Sequence, residues 1–212
     1  MPRRRDSHLL EDALAALARA LDETKAPWMI IGGIAVIARG VRRFTTDVDA
    51  AVRGDAVSIE GLLRSLARKK IAARIANAAA FAQQNLVLLL RHAPTGVDLD
   101  VSLAWSAFEH DALDAATDAA FGRVVARMSS PADLVIFKAV AGRAKDLEDA
   151  EALLALHPSI DIARVRARVA ELATLAEAPE LLENFDGIAA RARRTPGKRS
   201  RKLRRKPSRS PR

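Results

Sequence analysis

Two pairs of aspartates, each spaced two residues apart, are the residues of this chain best placed to do chemistry. Asp47 and Asp49 stand in the segment Asp-Val-Asp-Ala-Ala-Val, and Asp98 and Asp100 stand in Val-Asp-Leu-Asp-Val-Ser-Leu. Both segments alternate in a way that is typical of β-strands, in which side chains two apart point to the same face. Each pair therefore projects two carboxylates from one surface.

Carboxylates held this close repel one another, and a bound divalent cation offsets the repulsion while leaving both groups ionised. An EF-hand calcium loop does not fit the first pair, because it needs a glycine at Val52 and a further acid at Ala51. A single Asp-x-Asp pair is also compatible with a solvated strand face. Two such strands in one small sheet favour a metal site, since acids on central strands are costly without metal, partners or solvent.

A glycine pair, Gly32-Gly33, lies between an apolar run at 28–31 and a helical stretch at 34–39. Glycines in this place allow the backbone to approach a phosphate and expose amides at a helix N-terminus. The segment lacks the Gly-Lys-Ser/Thr of a P-loop and the third glycine of a dinucleotide fingerprint. A plain turn is the alternative interpretation.

The elements that must position these groups can be predicted from hydrophobic periodicity and from turn residues. Gly40 is expected to cap the helix at 34–39, and Pro94-Thr95-Gly96 predicts a hairpin between two of the strands. Ser130-Pro131-Ala132-Asp133 is a strong helix start. Helices are predicted at 7–23, 34–39, 57–69, 131–142, 145–156, 161–175 and 179–193, and strands at 28–31, 47–52, 71–75, 86–90, 97–103 and 122–128.

Mixed strands and helices followed by a helical run predict an α/β (α+β) fold, with a small mixed sheet flanked by helices and a C-terminal helical bundle. The predicted organisation is a core at 1–128, a helical subdomain at 129–193 and a disordered basic tail at 194–212. The 212 residues carry a net charge of +9, but residues 191–212 hold 12 of the 35 Lys and Arg and no acid. Without them the body has a net charge of −3. Such a tail either binds RNA or DNA phosphates or merely adds solubility.

Several classes of protein are excluded or disfavoured by composition. The chain has no cysteine, which excludes disulfides, thiolate zinc sites and a cysteine nucleophile. Its four histidines show no metal-ligand spacing. No apolar run is long enough for a membrane span, and the N-terminus lacks the apolar core of a signal peptide, so a cytoplasmic location is expected.

The order of strand, Gly-Gly, helix, Asp-x-Asp strand and later Asp strand resembles the nucleotidyltransferase superfamily with the polymerase-β-type fold. More narrowly, the chain resembles the AbiEii/AbiGii-type abortive-infection toxin family of bacterial nucleotidyltransferases. The segments that carry the resemblance are Ile31-Gly32-Gly33-Ile34-Ala35, Arg43-Phe44-Thr45-Thr46-Asp47-Val48-Asp49, Val97 to Ala104 with Phe108-Glu109, and Lys138 to Asp149.

The resemblance implies catalysis by Asp47, Asp49 and Asp100, which would bind two Mg²⁺ ions, with Asp100 also activating the acceptor hydroxyl. Asp98 is the alternative third carboxylate, although Leu-Asp-Val-Ser-Leu-Ala fits the strand of the family better at Asp100. The same resemblance implies a nucleotide-binding set made of Gly32, Gly33, Arg43, Thr46, Lys138, Lys145 and Asp149.

One departure from the superfamily is that Gly33 replaces the usual serine, so that phosphate binding depends on amides and basic residues such as Arg42 and Arg43. These arginines are otherwise ordinary surface residues. Lys138 lies in an apolar run, and in a continuous helix it would lie on the same side as Lys145 and Asp149. Lys145 and Asp149 could instead form a simple i,i+4 pair. Trp28, Trp105 and Phe108 are expected to pack in the core or at its rim.

The predicted function is transfer of a nucleoside monophosphate from a nucleoside triphosphate (NTP) to an acceptor hydroxyl on RNA (such as tRNA), a protein or a small molecule. The resemblance implies the toxin of a toxin-antitoxin or abortive-infection system, with an antitoxin partner. A non-catalytic nucleotide- or RNA-binding module and an antibiotic-modifying nucleotidyltransferase are the alternatives.

Overall fold

The computed structural model describes residues 4–194, and side chains from residue 7 to residue 193. The basic tail predicted at 194–212 lies almost wholly outside the described residues. The helices are α1 (Arg4–Asp22), α2 (Gly32–Ala38), α3 (Ile59–Arg68), α4 (Ala78–Asn85), α5 (Ala107–Asp114), α6 (Pro131–Ala141), α7 (Ala144–Leu156), α8 (Ile162–Leu175) and α9 (Glu180–Arg194). The strands are β1 (Trp28–Ile31), β2 (Asp47–Arg53), β3 (Ile71–Ala73), β4 (Val87–His92), β5 (Val97–Ala104), β6 (Thr117–Phe121) and β7 (Val124–Met128).

The seven strands form one mixed sheet in the order β3-β4-β5-β2-β1-β7-β6. The pairs β2–β5 and β1–β7 are parallel, and the other neighbours are antiparallel. The predicted mixed α/β fold is confirmed. The hairpin predicted at Pro94–Gly96 joins β4 to β5.

The two aspartate-bearing strands, β2 and β5, are adjacent at the centre of the sheet. Their alternate residues Val48, Ala50, Leu99 and Val101 are fully buried. The register places Asp47 beside Asp98 and Asp49 beside Asp100. Because paired residues of adjacent strands share a face, all four carboxylates lie on the face opposite to this buried side.

One hydrophobic cluster runs from α1 through the sheet to the C-terminal helices. It includes Leu14 and Leu17 of α1, Ile30 of β1, Leu134 of α6 and Phe185 of α9. The C-terminal helices therefore share their core with the sheet and are held against it by apolar burial. The predicted boundary at residue 128 stays a prediction.

The structure contains three elements that the sequence pattern left unassigned, which are α4, α5 and β6. The start of α5 is a capping box in which Ser106 and Glu109 exchange hydrogen bonds, and the Ser-x-x-Glu signal for it is visible in the sequence. The predicted strand at 71–75 ends at Ala73. Within residues 4–194, no helix is long and apolar enough to cross a membrane.

Candidate active site

The carboxylates on the open face of β2 and β5 differ in their surroundings. Asp47 is exposed, whereas Asp49, Asp98 and Asp100 are each partly buried. The hydroxyl of Thr45 donates a hydrogen bond of 2.7 Å to Oδ1 of Asp47. Thr45 is itself buried, and it orients the first carboxylate of the pair, a contact that no sequence pattern indicates.

Gly32 and Gly33 pack against this acidic face. Gly32 has a φ of +61°, and a Cβ added there would lie 1.9 Å from Oδ2 of Asp49. A Cβ on Gly33 would lie 2.4 Å from Oγ1 of Thr45, and the Gly33 backbone N–H donates a hydrogen bond to Asp49. Both positions thus exclude any larger residue, because the first turn of α2 is in contact with the carboxylates.

The pKa of Asp98 is shifted in the opposite direction from the pKa values of the other partly buried carboxylates, Asp49 and Asp100. Burial raises the pKa of Asp49, and the charges of Asp47 and Asp100 raise it further. Burial also raises the pKa of Asp100, against the opposing effect of Arg74. The pKa of Asp98 is lowered, chiefly by a hydrogen bond from Arg91. Ionisation is therefore opposed at Asp49 and Asp100 and favoured at Asp98.

Two arginines from the neighbouring strands hold the β5 carboxylates. The Arg91 Nε donates to Oδ1 of Asp98 at 2.6 Å, and the Arg74 Nη1 donates to Oδ2 of Asp98 at 3.2 Å. The Nη2 of Arg74 also donates a hydrogen bond to Oδ1 of Asp100. Arg74 therefore bridges Asp98 and Asp100.

A second polar network lies where α6 gives way to α7. The Lys138 Nζ donates to Oδ1 of Asp146 at 2.7 Å and lies 3.4 Å from Oδ2 of Asp149. Arg143 also pairs with Asp146, and Arg43 pairs with Asp149. Lys138 is only 7% exposed and Asp146 is fully buried. Asp146 was part of the predicted Lys138–Asp149 segment, but its role as the main partner of Lys138 emerges only in the structure.

This network faces the acidic strands. The charge of Lys138 acts on Asp49 to oppose the rise in its pKa. The pKa of Arg143 is raised, first by its hydrogen bond to Asp146 and also by the charges of Asp49 and Asp47. The folded chain therefore brings the predicted Gly32-Gly33, Asp47, Asp49, Asp100, Arg43, Lys138 and Asp149 to one region.

Lys145 does not join this region in the way that a continuous helix would require. Gly142, with a φ of +67°, ends α6, and Arg143 is the N-cap of α7, so the helical geometry of Lys138 and Lys145 is broken. Lys145 is exposed, and within residues 4–194 it forms no ion pair with Asp149, which is taken by Arg43 and Lys138. Thr46 and Arg42 are likewise exposed at the edge of the site.

The aromatic side chains predicted to pack in the core or at its rim differ in how far they are buried. Trp28 is buried and its Nε1 donates to Asp22 at 2.9 Å, while Phe108 packs on Phe137 with ring centroids 4.9 Å apart. Trp105, expected to pack, is instead 70% exposed. It follows the last residue of β5, where the strand leaves the sheet.

The chemistry of the acidic face fits a divalent cation. Carboxylate oxygens are the hard ligands that Mg²⁺ prefers, and the mutual repulsion among Asp47, Asp49 and Asp100 is what a cation would relieve. As the side chains stand, no group of three His, Asp or Glu residues in the part of the chain that the structure describes converges on one point. Arg74 donates a hydrogen bond to one oxygen of Asp100.

A mixed sheet with carboxylates on adjacent strands beside a Gly-Gly helix start defines a nucleotidyltransferase-type protein. The chain belongs to the family described as "Nucleotidyltransferase of unknown function (DUF6036)", whose family model matches residues 8–185. This match does not confirm the narrower resemblance to the AbiEii/AbiGii-type family, which stays a prediction. A comparison with curated proteins finds no match.

The fold is shared with a solved nucleotidyltransferase-like protein. An antigenic nucleotidyltransferase-like protein from Paracoccidioides brasiliensis is 16% identical, with a TM-score of 0.50, over 82% of this chain and 91% of that one. ANT(2")-Ia in complex with adenylyl-2"-tobramycin is 19% identical, with a TM-score of 0.49, over 85% and 97% of the two chains. JHP933 from Helicobacter pylori is 14% identical, with a TM-score of 0.48, over 88% and 90%.

Proposed function

We propose that this protein transfers a nucleoside monophosphate from an NTP to an acceptor hydroxyl, with Asp47, Asp49 and Asp100 as its catalytic and metal-binding carboxylates. The observation that carries the proposal is the register of β2 and β5. It sets Asp49 level with Asp100 on an open face, where burial and like charge raise the pKa of both. Perturbed carboxylates grouped in this way are typical of functional sites.

The reaction would be an in-line displacement at the α-phosphorus. A new bond forms between the acceptor oxygen and phosphorus, the bond from phosphorus to the bridging oxygen breaks, and pyrophosphate leaves. Asp100 would accept the proton of the acceptor hydroxyl, since it is the member of the trio on β5 and is 41% exposed. Two Mg²⁺ ions held by the three carboxylates would supply charge stabilisation at the entering and leaving oxygens.

The remaining predicted residues serve the donor in this proposal. Lys138 lies beside the acidic face and would contact the triphosphate, with Arg43 on the same side. The glycine pair would admit the phosphates by leaving the acidic face uncovered, since a Cβ at Gly32 would lie 1.9 Å from Oδ2 of Asp49. In this proposal the protein positions the reactants and stabilises the negative charge of the phosphates.

The acceptor is proposed to be RNA such as tRNA, with a protein hydroxyl or a small molecule as the other possible acceptors. The basic composition of residues 191–212 supports RNA. The resemblance to abortive-infection toxins supports a toxin role with an antitoxin partner. These narrower statements depend on the assay that follows.

The test is incubation of purified protein with each α-³²P-labelled NTP, Mg²⁺ and total cellular RNA, beside an Asp47→Asn/Asp49→Asn variant. Label that enters RNA, or the protein itself, in the wild type alone would establish nucleotidyl transfer and identify the donor and the class of acceptor. Mg²⁺-dependent nucleotide binding without transfer, in the presence of RNA and of candidate antibiotics, would support the non-catalytic binding module instead.

Asp98 and Asp100 should differ sharply in this assay. Asp100→Asn should lower the rate by about 10³-fold or more, as expected when a carboxylate with both metal-binding and proton-accepting roles is lost. Asp98→Asn should cost less than about tenfold at saturating Mg²⁺, because Asp98 is already neutralised by Arg91 and Arg74. If Asp98→Asn and Asp100→Asn lower the initial rate equally, Asp100 cannot be assigned as the third catalytic carboxylate.

A further inference from the structure

Arg74 is a charged residue of the acidic face that neither the sequence pattern nor the proposed mechanism uses. It comes directly after β3, and its backbone N–H donates to the Leu89 carbonyl at 2.9 Å, which fixes its backbone to β4. Its side chain is 27% exposed and bridges Asp98 and Asp100. A guanidinium presents its donors in a planar fork, so it can serve two carboxylates at once.

The bridge competes directly with a cation. While the hydrogen bond persists, one lone pair of this Asp100 oxygen is engaged by Arg74, which makes the oxygen a weaker metal ligand, and the positive charge nearby repels the ion. Asp98 offers an alternative partner, since its Oδ2 already accepts from Arg74 at 3.2 Å.

We propose that Arg74 is a positioning residue that withholds Asp100 from the site until a divalent cation binds, and that Asp98 is the carboxylate that retains Arg74 once Asp100 is released. The proposal rests on the proposed function in so far as it takes Asp100 to be a metal ligand. It gives Asp98 a task of its own. Asp98 draws the guanidinium away from Asp100, while Arg91 anchors the other oxygen of Asp98 at 2.6 Å.

The geometry distinguishes this role from a simple effect of charge. Arg74 and Arg91 are both arginines on the same face, and both pair with Asp98, but only Arg74 contacts Asp100. Removal of either takes one positive charge from the neighbourhood of the carboxylates. Only removal of Arg74 frees Asp100, so Arg91 supplies a matched control within the same cluster.

The experiment is Mn²⁺ titration of the full chain without nucleotide, followed by the electron paramagnetic resonance signal of the free ion. Arg74→Ala should bind Mn²⁺ about fivefold more tightly than the wild type, which is the order expected for one partly exposed charge-assisted hydrogen bond. Arg91→Ala should change the affinity less than about twofold. Thermal melting of each variant confirms folding, and Arg74→Gln provides a second variant with a polar side chain.

Asp98→Asn should change the Mn²⁺ affinity in the opposite direction from Arg74→Ala. With Asp98 neutral, Arg74 should pair more fully with Asp100, so Asp98→Asn should lower Mn²⁺ affinity about threefold more in the wild type than in the Arg74→Ala background. The gain in Mn²⁺ affinity caused by Arg74→Ala depends on Asp100. In a protein that already carries Asp100→Asn, adding Arg74→Ala should therefore leave the Mn²⁺ affinity unchanged. This double-variant comparison isolates the coupling between the two side chains from the loss of one negative charge.

The outcomes test the role of Arg74 and the proposed nucleotidyl transfer independently of each other. Equal affinities of wild type and Arg74→Ala, equal tightening in Arg91→Ala, or an Asp98→Asn effect of the same size with and without Arg74 would each overturn the role of Arg74. Tightening that survives the loss of Asp100 would do the same. The titration needs neither donor nor acceptor, so the expected pattern in a protein that transfers no nucleotide would retire the proposed function and leave the role of Arg74 standing.

Discussion

Asp49→Asn should abolish nucleotidyl transfer and at the same time raise the melting temperature. Transfer should fall by about 10³-fold or more, because a neutral amide is a poor ligand for Mg²⁺ and no longer balances its charge. The melting temperature should rise by about 2–4 °C, the shift that ~1 kcal/mol produces in a domain of this size. The amide oxygen can still accept the hydrogen bond that Gly33 donates to Asp49.

The gain in stability follows from the direction of the pKa shift. Burial, Asp47 and Asp100 raise the pKa of Asp49 in the folded protein above the ordinary value of 3.8. Between the two values the folded state binds more protons than the unfolded state, so stability falls as pH rises through this window. Above it, the full penalty of the buried charge remains, and Asn removes that penalty at neutral pH.

The measurement is urea unfolding of wild type and Asp49→Asn at pH values from about 4 to 8, together with the transfer assay. Asp118→Asn, which changes an exposed aspartate on β6, is the matched control and should alter neither property. A variant that retains transfer would remove Asp49 from the catalytic set. A variant that is less stable than the wild type at neutral pH would show that the negative charge stabilises the fold.

The central part of this site was predictable because it depends on local patterns. Asp47 and Asp49 share a face through the two-residue period of a strand, and the same period groups Asp98 with Asp100. The register that sets Asp49 beside Asp100 is a long-range pairing across about 50 residues. No local pattern fixes it, and here the family resemblance supplied what periodicity could not.

The cationic half of the site was less predictable, because its contacts depend on where loops and helix ends fall. Lys138 stood out as a charge in an apolar run, but its partner Asp146 is reached only because Gly142 breaks the helix. Had α6 continued, Lys145 would have occupied that side instead. Arg74 lies in the strand predicted at 71–75, but no motif marks it as part of the site, and its contacts with Asp98 and Asp100 appear only in the structure.

The second large effect is expected for Lys138→Met. The change leaves Asp146, which is fully buried, with Arg143 as its remaining cation. Burial by itself favours the protonated form of Asp146, but the hydrogen bonds from Arg143 and Lys138 outweigh it and hold its pKa below the ordinary value. Because Arg143 remains and is itself 64% exposed, the loss in unfolding free energy should be about 2–3 kcal/mol, somewhat below the usual cost of breaking a buried pair.

Lys145→Met is the matched control, because it removes the same charge from an exposed position nearby and should change stability by less than about 0.5 kcal/mol. The double variant Lys138→Met/Asp146→Asn removes both charges of the buried Lys138–Asp146 pair and should recover most of the lost stability.

Donor binding separates the structural role of Lys138 from its functional one. If Lys138 contacts the triphosphate, the double variant should regain stability and still bind NTP about tenfold more weakly than the wild type, since a charge-assisted contact to phosphate is lost. If Lys138 only neutralises Asp146, stability and NTP affinity should return together. Urea unfolding and NTP titration of the same four proteins therefore distinguish a phosphate ligand from a buried counter-ion, because only a ligand leaves affinity uncoupled from stability.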